Sequence, residues 1–266
     1  MENAIYRGEG ILVNKWSYGL RLPFPSWFGY HRIGYCRIGK GDIVLFNNPG
    51  RSQQAAGIER RDVFIGRCIG LAGDTLFLNR ELSDTASRIY IPDSKELYAY
   101  PAQQEKLVEA LIKETNIGRN TLVSCMDGGY YVRSFSHYEY YLLSQKACNR
   151  IQFTALNRQH SEVHPFIVPR KGQTVAVRPW NAVLLYNTLL LHEHRRVRLQ
   201  GDTLLMDGKA IRAYTFSKNY YWMAANNPVN LSDSRLFGFV PEDHIIGQAW
   251  RIWWPSRIQR FLKKAE

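Results

Sequence analysis

Glycine followed by aspartate recurs in this chain at the mouth of short apolar runs: Gly41-Asp42 before "IVLF", Gly73-Asp74 before "TLFL" and Gly201-Asp202 before "TLLM". Glycine adopts the positive φ of a tight turn and aspartate bonds nearby backbone, so each pair marks a turn that opens into a strand. Apolar runs of four to eight residues bounded by such turns predict a mainly β protein. The third run closes on Asp207-Gly208, a two-residue type I′ hairpin signal. "GILVNKWSYGLRL", "GYYVRSF" and "TVAVRPWNAVLLY" also read as strand-like. One segment reads differently. In "AQQEKLVEALIKETNIG", Leu107, Val108, Leu111 and Ile112 fall at helical spacing, with Gly118 at the expected stop.

With 266 residues and 45% hydrophobic content the chain can fill one sizeable core or two smaller ones. The longest apolar stretches, such as Ala182 to Leu191, are about half the roughly 20 residues that cross a bilayer. The opening "MENAIYRGEG" has no apolar run of the kind a signal peptide carries. A net charge of +12 favours an anionic partner, a membrane surface or nucleic acid. No zinc-finger, RRM or helix-turn-helix pattern accompanies that charge, so nucleic acid is not expected. Cys36, Cys68, Cys125 and Cys148 are widely spaced, which predicts neither a metal site nor a redox motif, and no cofactor is implied.

Four segments, in order, carry a more specific message. They are "MENAIYRGEGILV" at the start, "KGDIVLFNNP" from Lys40 to Pro49, "VFIGRCIGLAGDT" from Val63 to Thr75, and "YYWMAANNPVNLSDSRLFGFVP" from Tyr220 to Pro241. Together they resemble the bacterial signal peptidase I family, membrane-anchored serine endopeptidases that work with a serine nucleophile and a lysine general base on a β-sheet scaffold. Met1, Ile5, Gly8 and Glu9 fall on the first family motif, with Asn3 and Ala4 replacing its Pro and Thr. Gly41 and Asp42 fall on the second; Arg67, Gly70, Gly73 and Asp74 on the third; Asp233, Ser234, Arg235 and Gly238 on the fourth. In the family, the residues matched by Asp233 and Arg235 pair as a structural clamp.

The resemblance also shows what is missing. The family's nucleophile falls immediately before Met1, and the expectation is a longer chain in which a membrane anchor and a serine precede it. The lysine position is Gly66 and the serine that supports the lysine is Leu231, so no catalytic residue of the family is present in the chain. Arg67 cannot stand in, because a guanidinium does not release its proton near neutral pH. Ser232 is one place along from the supporting serine and on the opposite face of an extended chain. The family's G-D-N-R-D becomes Ala225-Asn226-Asn227-Pro228-Val229. Among other groups, His192-Glu193-His194 reads as a solvated charged edge rather than a metal site, and His137 and His244 as surface or capping residues. Lys15 and Lys40 lie in matched segments without a nucleophile beside them.

The expected architecture is a signal peptidase-like β-sheet body, residues 1–80 and 200–255, with an inserted lobe at 81–199 containing at least one helix and a basic tail at 256–266. The expected function is signal peptidase I-type cleavage of exported preproteins on the outer, periplasmic face of the cytoplasmic membrane, given an upstream serine and another base. The alternative is a non-catalytic homologue that binds signal-peptide-like segments or assists an active peptidase. Aromatics in "LRLPFPSWFGY" (Phe24, Trp27, Phe28) and in the tail (Trp250, Trp253, Trp254, among arginines and lysines) suit a membrane surface.

Overall fold

The computed structural model describes residues 4–6, 8–21, 30–34, 36–50, 55–78, 95–117, 120–147, 150–156, 162–226, 233–255 and 258–265, without the side chain of His137. Its spine is a six-stranded sheet in the order β1 (Gly10–Asn14), β19 (Ile245–Trp254), β4 (Ile43–Asn47), β5 (Val63–Gly70), β17 (Tyr220–Ala224) and β18 (Val240–Pro241). Every pairing in it is antiparallel. The matched segments therefore supply its centre: "GDIVLF" becomes β4, "VFIGRCIG" becomes β5 and "YYWMA" becomes β17. The pleat sends Val44, Phe46 and Cys68 to one face, where they pack with Tyr221, Met223 and Ile245. Ile43 faces the other side, against Ala4, Ala249 and Ala265.

Smaller sheets surround this spine. Strand β6 (Thr75–Leu78) pairs with β11 (His164–Ile167), β12 (Thr174–Ala176) with β16 (Ala213–Thr215), and β2 (Leu20–Arg21) with β3 (Arg32–Ile33). Strands β13 (Val197–Gln200), β14 (Thr203–Met206) and β15 (Lys209–Ala210) form a meander. Its last turn is the predicted type I′ hairpin, with Asp207 at φ 49° and Gly208 at φ 80°. A four-stranded sheet, β10 (Thr154–Ala155), β7 (Lys95–Pro101), β9 (Tyr130–Ser136) and β8 (Ser124–Met126), carries helices α1 (Glu105–Glu114) and α2 (His137–Ala147). The predicted helix is α1, buried through Val108, Leu111 and Ile112; Gly118 lies outside the described residues.

The described residues within 81–199 divide between two cores. Tyr98, Tyr100, Val108, Phe135, Leu143 and Ile151 close a core of their own. Phe166, Val168, Leu185 and Leu189 instead share a core with Leu76, Phe216 and Trp222 of the body. One expectation is corrected. "AVLLY", read as strand, opens helix α3 (Ala182–Leu191), whose side chains are apolar nearly all round and carry no period that separates helix from strand. Among its described residues the basic tail makes a short 3₁₀ turn, Ile258–Arg260, and folds back on β19: the Leu262 and Ala265 amides donate to the carbonyls of Ile252 and Trp250. Arg260 then reaches Glu9 at 2.8 Å, closing the two ends of the chain on each other.

The tightest backbone approach in the spine is at Gly247, where a Cβ would stand 2.5 Å from the Asn14 carbonyl oxygen and 2.9 Å from Lys15 Cα. Neither backbone atom can move without breaking the β1–β19 pairing. Gly247→Ala is therefore expected to cost about 1–3 kcal/mol, read as a lowered midpoint in urea unfolding with an unchanged slope.

Candidate active site

Gly66 sits in the middle of β5, opposite Val44. A Cβ there would lie 3.2 Å from Met223 Cβ, 3.3 Å from Phe46 Cε1 and 3.5 Å from the Ala224 carbonyl oxygen. Phe46 and Met223 are fully buried. The place where a lysine would begin is thus walled by two apolar side chains and contains no amine. Cys68, two residues on and on the same face, is fully buried, and burial pushes its thiol well above the usual range. It is neither a base nor an accessible nucleophile. Met1 and Leu231 lie outside the described residues.

Around this strand the Gly-Asp turns act as brackets. The Asp42 carboxylate accepts from Tyr18 Oη–H at 2.9 Å, the Gly39 amide at 2.8 Å and Gln248 Nε2 at 2.9 Å. Gly41 turns at φ 89°, its amide donating to the Cys68 carbonyl, and its own carbonyl accepts from Arg67 Nη1 at 2.9 Å. Gly73 turns at φ 96° and Asp74 accepts from the Leu71 amide. Lys40 Nζ lies 2.8 Å from Asp74, joining the two turns. Gly70 leaves no room for a side chain, a Cβ there lying 2.9 Å from Leu76 Cδ1 and 3.0 Å from Val168 Cγ2. These residues, singled out by sequence, come together as scaffold.

Asp233, Ser234 and Arg235 form the other bracket. Asp233 is 1% exposed and caps the four-residue helix α4 (Ser234–Phe237). It accepts from the Ala225 amide at 2.9 Å, the Arg235 amide at 2.9 Å and Arg235 Nη2 at 2.7 Å. Ser234 Oγ accepts from the Met223 amide at 2.9 Å. Gly238 ends the helix at φ 79°, where a Cβ would strike Leu184 Cδ1. The clamp therefore seizes the end of β17 and turns it away. Strand β17 pairs with β5 only at Arg67, Cys68 and Gly70. Among the described residues, nothing pairs with the outer edge of Val63, Phe64 and Ile65, and Val63 is exposed.

Sequence reading missed a buried polar network at the end of this open edge. His244 Nδ1 lies 2.7 Å from Asp243 Oδ1, Lys218 Nζ is 2.7 Å from Asp243 Oδ2, and Arg61 Nη1 is 3.1 Å from His244 Nε2. His244, expected at the surface, is 3% exposed. The "solvated edge" also fails. His192 and Glu193 are buried, and Glu193 accepts from Tyr220 Oη–H and Tyr214 Oη–H; only His194 is exposed. The signal available was Asp243-His244, one residue after the "FGFVP" end of the fourth motif. His137, read as a surface or capping residue, begins α2, and Lys15 is exposed.

Comparison with known proteins bears on all of these residues at once. The model of the family "Signal peptidase, peptidase S26" matches residues 1–254. A signal peptidase I from Buchnera aphidicola subsp. Schizaphis graminum is 41% identical over 277 aligned residues, covering 95% of this chain and 67% of that protein. A signal peptidase I from Pseudomonas aeruginosa is 24% identical, with 96% and 63% covered, and one from Helicobacter pylori is 19% identical, with 99% and 74% covered. The chain thus spans roughly two thirds of these relatives' length. With a match over nearly the whole chain, it belongs to the signal peptidase family, peptidase S26.

Proposed function

We propose that the chain is a signal peptidase I-type protein that takes the cleavage region of exported preproteins as an added strand on the open edge of β5. The observation that carries this is the half-paired strand: Arg67 is paired with both β4 and β17, whereas Val63–Ile65 has β4 on one side alone among the described residues. Such an edge offers backbone donors and acceptors to an extended peptide, which is how strand addition gains affinity. Hydrolysis requires a serine at the position before Met1 and a base other than residue 66. A second reading, a non-catalytic homologue that holds such segments or assists an active peptidase, is favoured by the filled space at Gly66.

The membrane surface enters the same reading. No helix among the described residues is long and apolar enough to cross a membrane. Trp16, Trp250, Trp253, Trp254 and Ile258 are at least half exposed, with Arg251 stacked on Trp250 at 5.0 Å. Indoles beside guanidinium groups suit the headgroup region of a bilayer. The outer face of the cytoplasmic membrane is where exported preproteins present their cleavage regions. Phe24, Trp27 and Phe28 lie outside the described residues.

Two experiments test the chemistry. The chain preceded by a membrane anchor and a serine adjoining Met1, incubated with a preprotein in lipid, is expected to release the mature protein, and the Ser→Ala form is expected to release none. Binding of preprotein without cleavage by the serine form would favour the second reading. In the same background, Gly66→Lys with Leu231→Ser is expected to raise cleavage and to lower stability by about 1–3 kcal/mol, because the new chain must push Phe46 and Met223 aside. A folded double variant with an unchanged rate would contradict the register that places the lysine at Gly66.

A further inference from the structure

We propose that Asp243, His244 and Arg61 form a relay that positions the segment leading into the open edge of β5, and that protonation of His244 releases it; the link to peptide capture rests on the reading given above. A guanidinium has donors and no acceptor, so the 3.1 Å contact between Arg61 Nη1 and His244 Nε2 requires a lone pair on Nε2. The imidazole proton then resides on Nδ1 and is donated to Asp243 Oδ1 at 2.7 Å. The second carboxylate oxygen is held by Lys218 Nζ at 2.7 Å. Arg61 in turn grips its own segment: Nε donates to the Ala56 carbonyl at 3.1 Å and Nη1 lies 3.4 Å from the Asn48 carbonyl. The Asn48 amide donates to the Asp62 carbonyl at 2.8 Å, and β5 begins at the next residue, Val63.

The charges around His244 come from four elements. Arg61 faces it from the segment before β5, Lys218 from the turn before β17, and Asp243 from its own 3₁₀ turn; His192, at the end of α3, stands with its ring 5.4 Å away. Arg32 of β3 also donates to the adjoining Ile245 carbonyl. Two permanent cations beside the imidazole face one carboxylate, and a second proton on His244 would add a third. It would also turn Nε2 into a donor aimed at a donor. Burial holds the His244 imidazole below its ordinary range despite the pull of Asp243, and burial together with His244 pushes His192 down to about 3. The sign follows. Below about pH 6.5 the unfolded chain binds protons that the native protein refuses, so the relay's stability is complete above that pH and is lost as pH falls.

Amide hydrogen exchange, corrected for intrinsic rates, tests the relay in the intact chain. Protection at Asn48 and Arg61 is expected to fall by about tenfold between about pH 7.5 and about pH 5, the scale of a shift of one pKa unit. His244→Gln offers one acceptor and one donor group without titrating, and is expected to make the fall smaller, leaving only the part that buried His192 contributes. An equal fall in His244→Gln, or no fall in the unaltered protein, would overturn the proposal. Nitrogen NMR of the unaltered protein provides a check that needs no variant: the neutral His244 ring should carry its proton on Nδ1, and an Nε2–H tautomer would overturn the relay. A labelled peptide spanning a preprotein cleavage site should lose affinity in parallel with the protection, and should lose less with His244→Gln. Protection that falls while affinity stays constant would overturn the positioning role. A peptide that binds at no pH would overturn the substrate reading, leaving exchange and NMR to judge the relay.

Discussion

The buried carboxylate of Asp233 determines where the central sheet stops. It takes the Ala225 amide, the next donor after β17, and binds it to the start of α4 together with the Arg235 guanidinium. The pairing of β17 with β5 ends at Ala224, and among the described residues the backbone of Val63–Ile65 keeps a bare edge. A buried charge is tolerated only when it is paired and fully hydrogen-bonded, and here one cation and two amides meet that demand. Ser234 adds a second hold on β17 through the Met223 amide. The Asp233–Ser234–Arg235 motif is thus a fold element whose product is the open edge.

On the register that places the family's lysine at Gly66, the same sheet leaves no vacancy for it. Close packing leaves no void at Gly66, because Phe46 and Met223 occupy what an aliphatic chain would need. A lysine amine becomes a base near neutral pH only through burial or nearby cations, and the walls that would depress it are in place while the amine is not. On the proposed reading, apolar walls without a titrating group supply no proton transfer, so hydrolysis would draw its base from elsewhere, whereas recognition of an extended peptide would need only backbone and shape.

Much of the scaffold was legible in the chain because its turns depend on local chemistry. Gly41, Gly73 and Asp207-Gly208 need backbone conformations that few residue types adopt, and the structure places each at positive φ. Helix α1 was legible because it is amphipathic. Helix α3 was not, because a run that is apolar nearly all round reads alike as strand or helix, and only the surrounding core decides. The buried histidines were hidden for a related reason. Nothing in "HEH" or "PEDHII" reveals that Tyr214 and Tyr220 will meet Glu193, or that Arg61 will meet His244 from 183 residues away. Their partners are joined by topology alone. The family membership rested on ordered motifs, and the match over residues 1–254 bears it out.

The claim that unites fold and function is that a peptide completes β5. Amide exchange across Val63–Ile65, measured with and without a saturating peptide from a preprotein cleavage region, tests it directly. Added protection confined to these residues and their immediate neighbours is the predicted result. Peptide binding that leaves their exchange unchanged, or that protects only the β8 edge of the other sheet, would contradict the account.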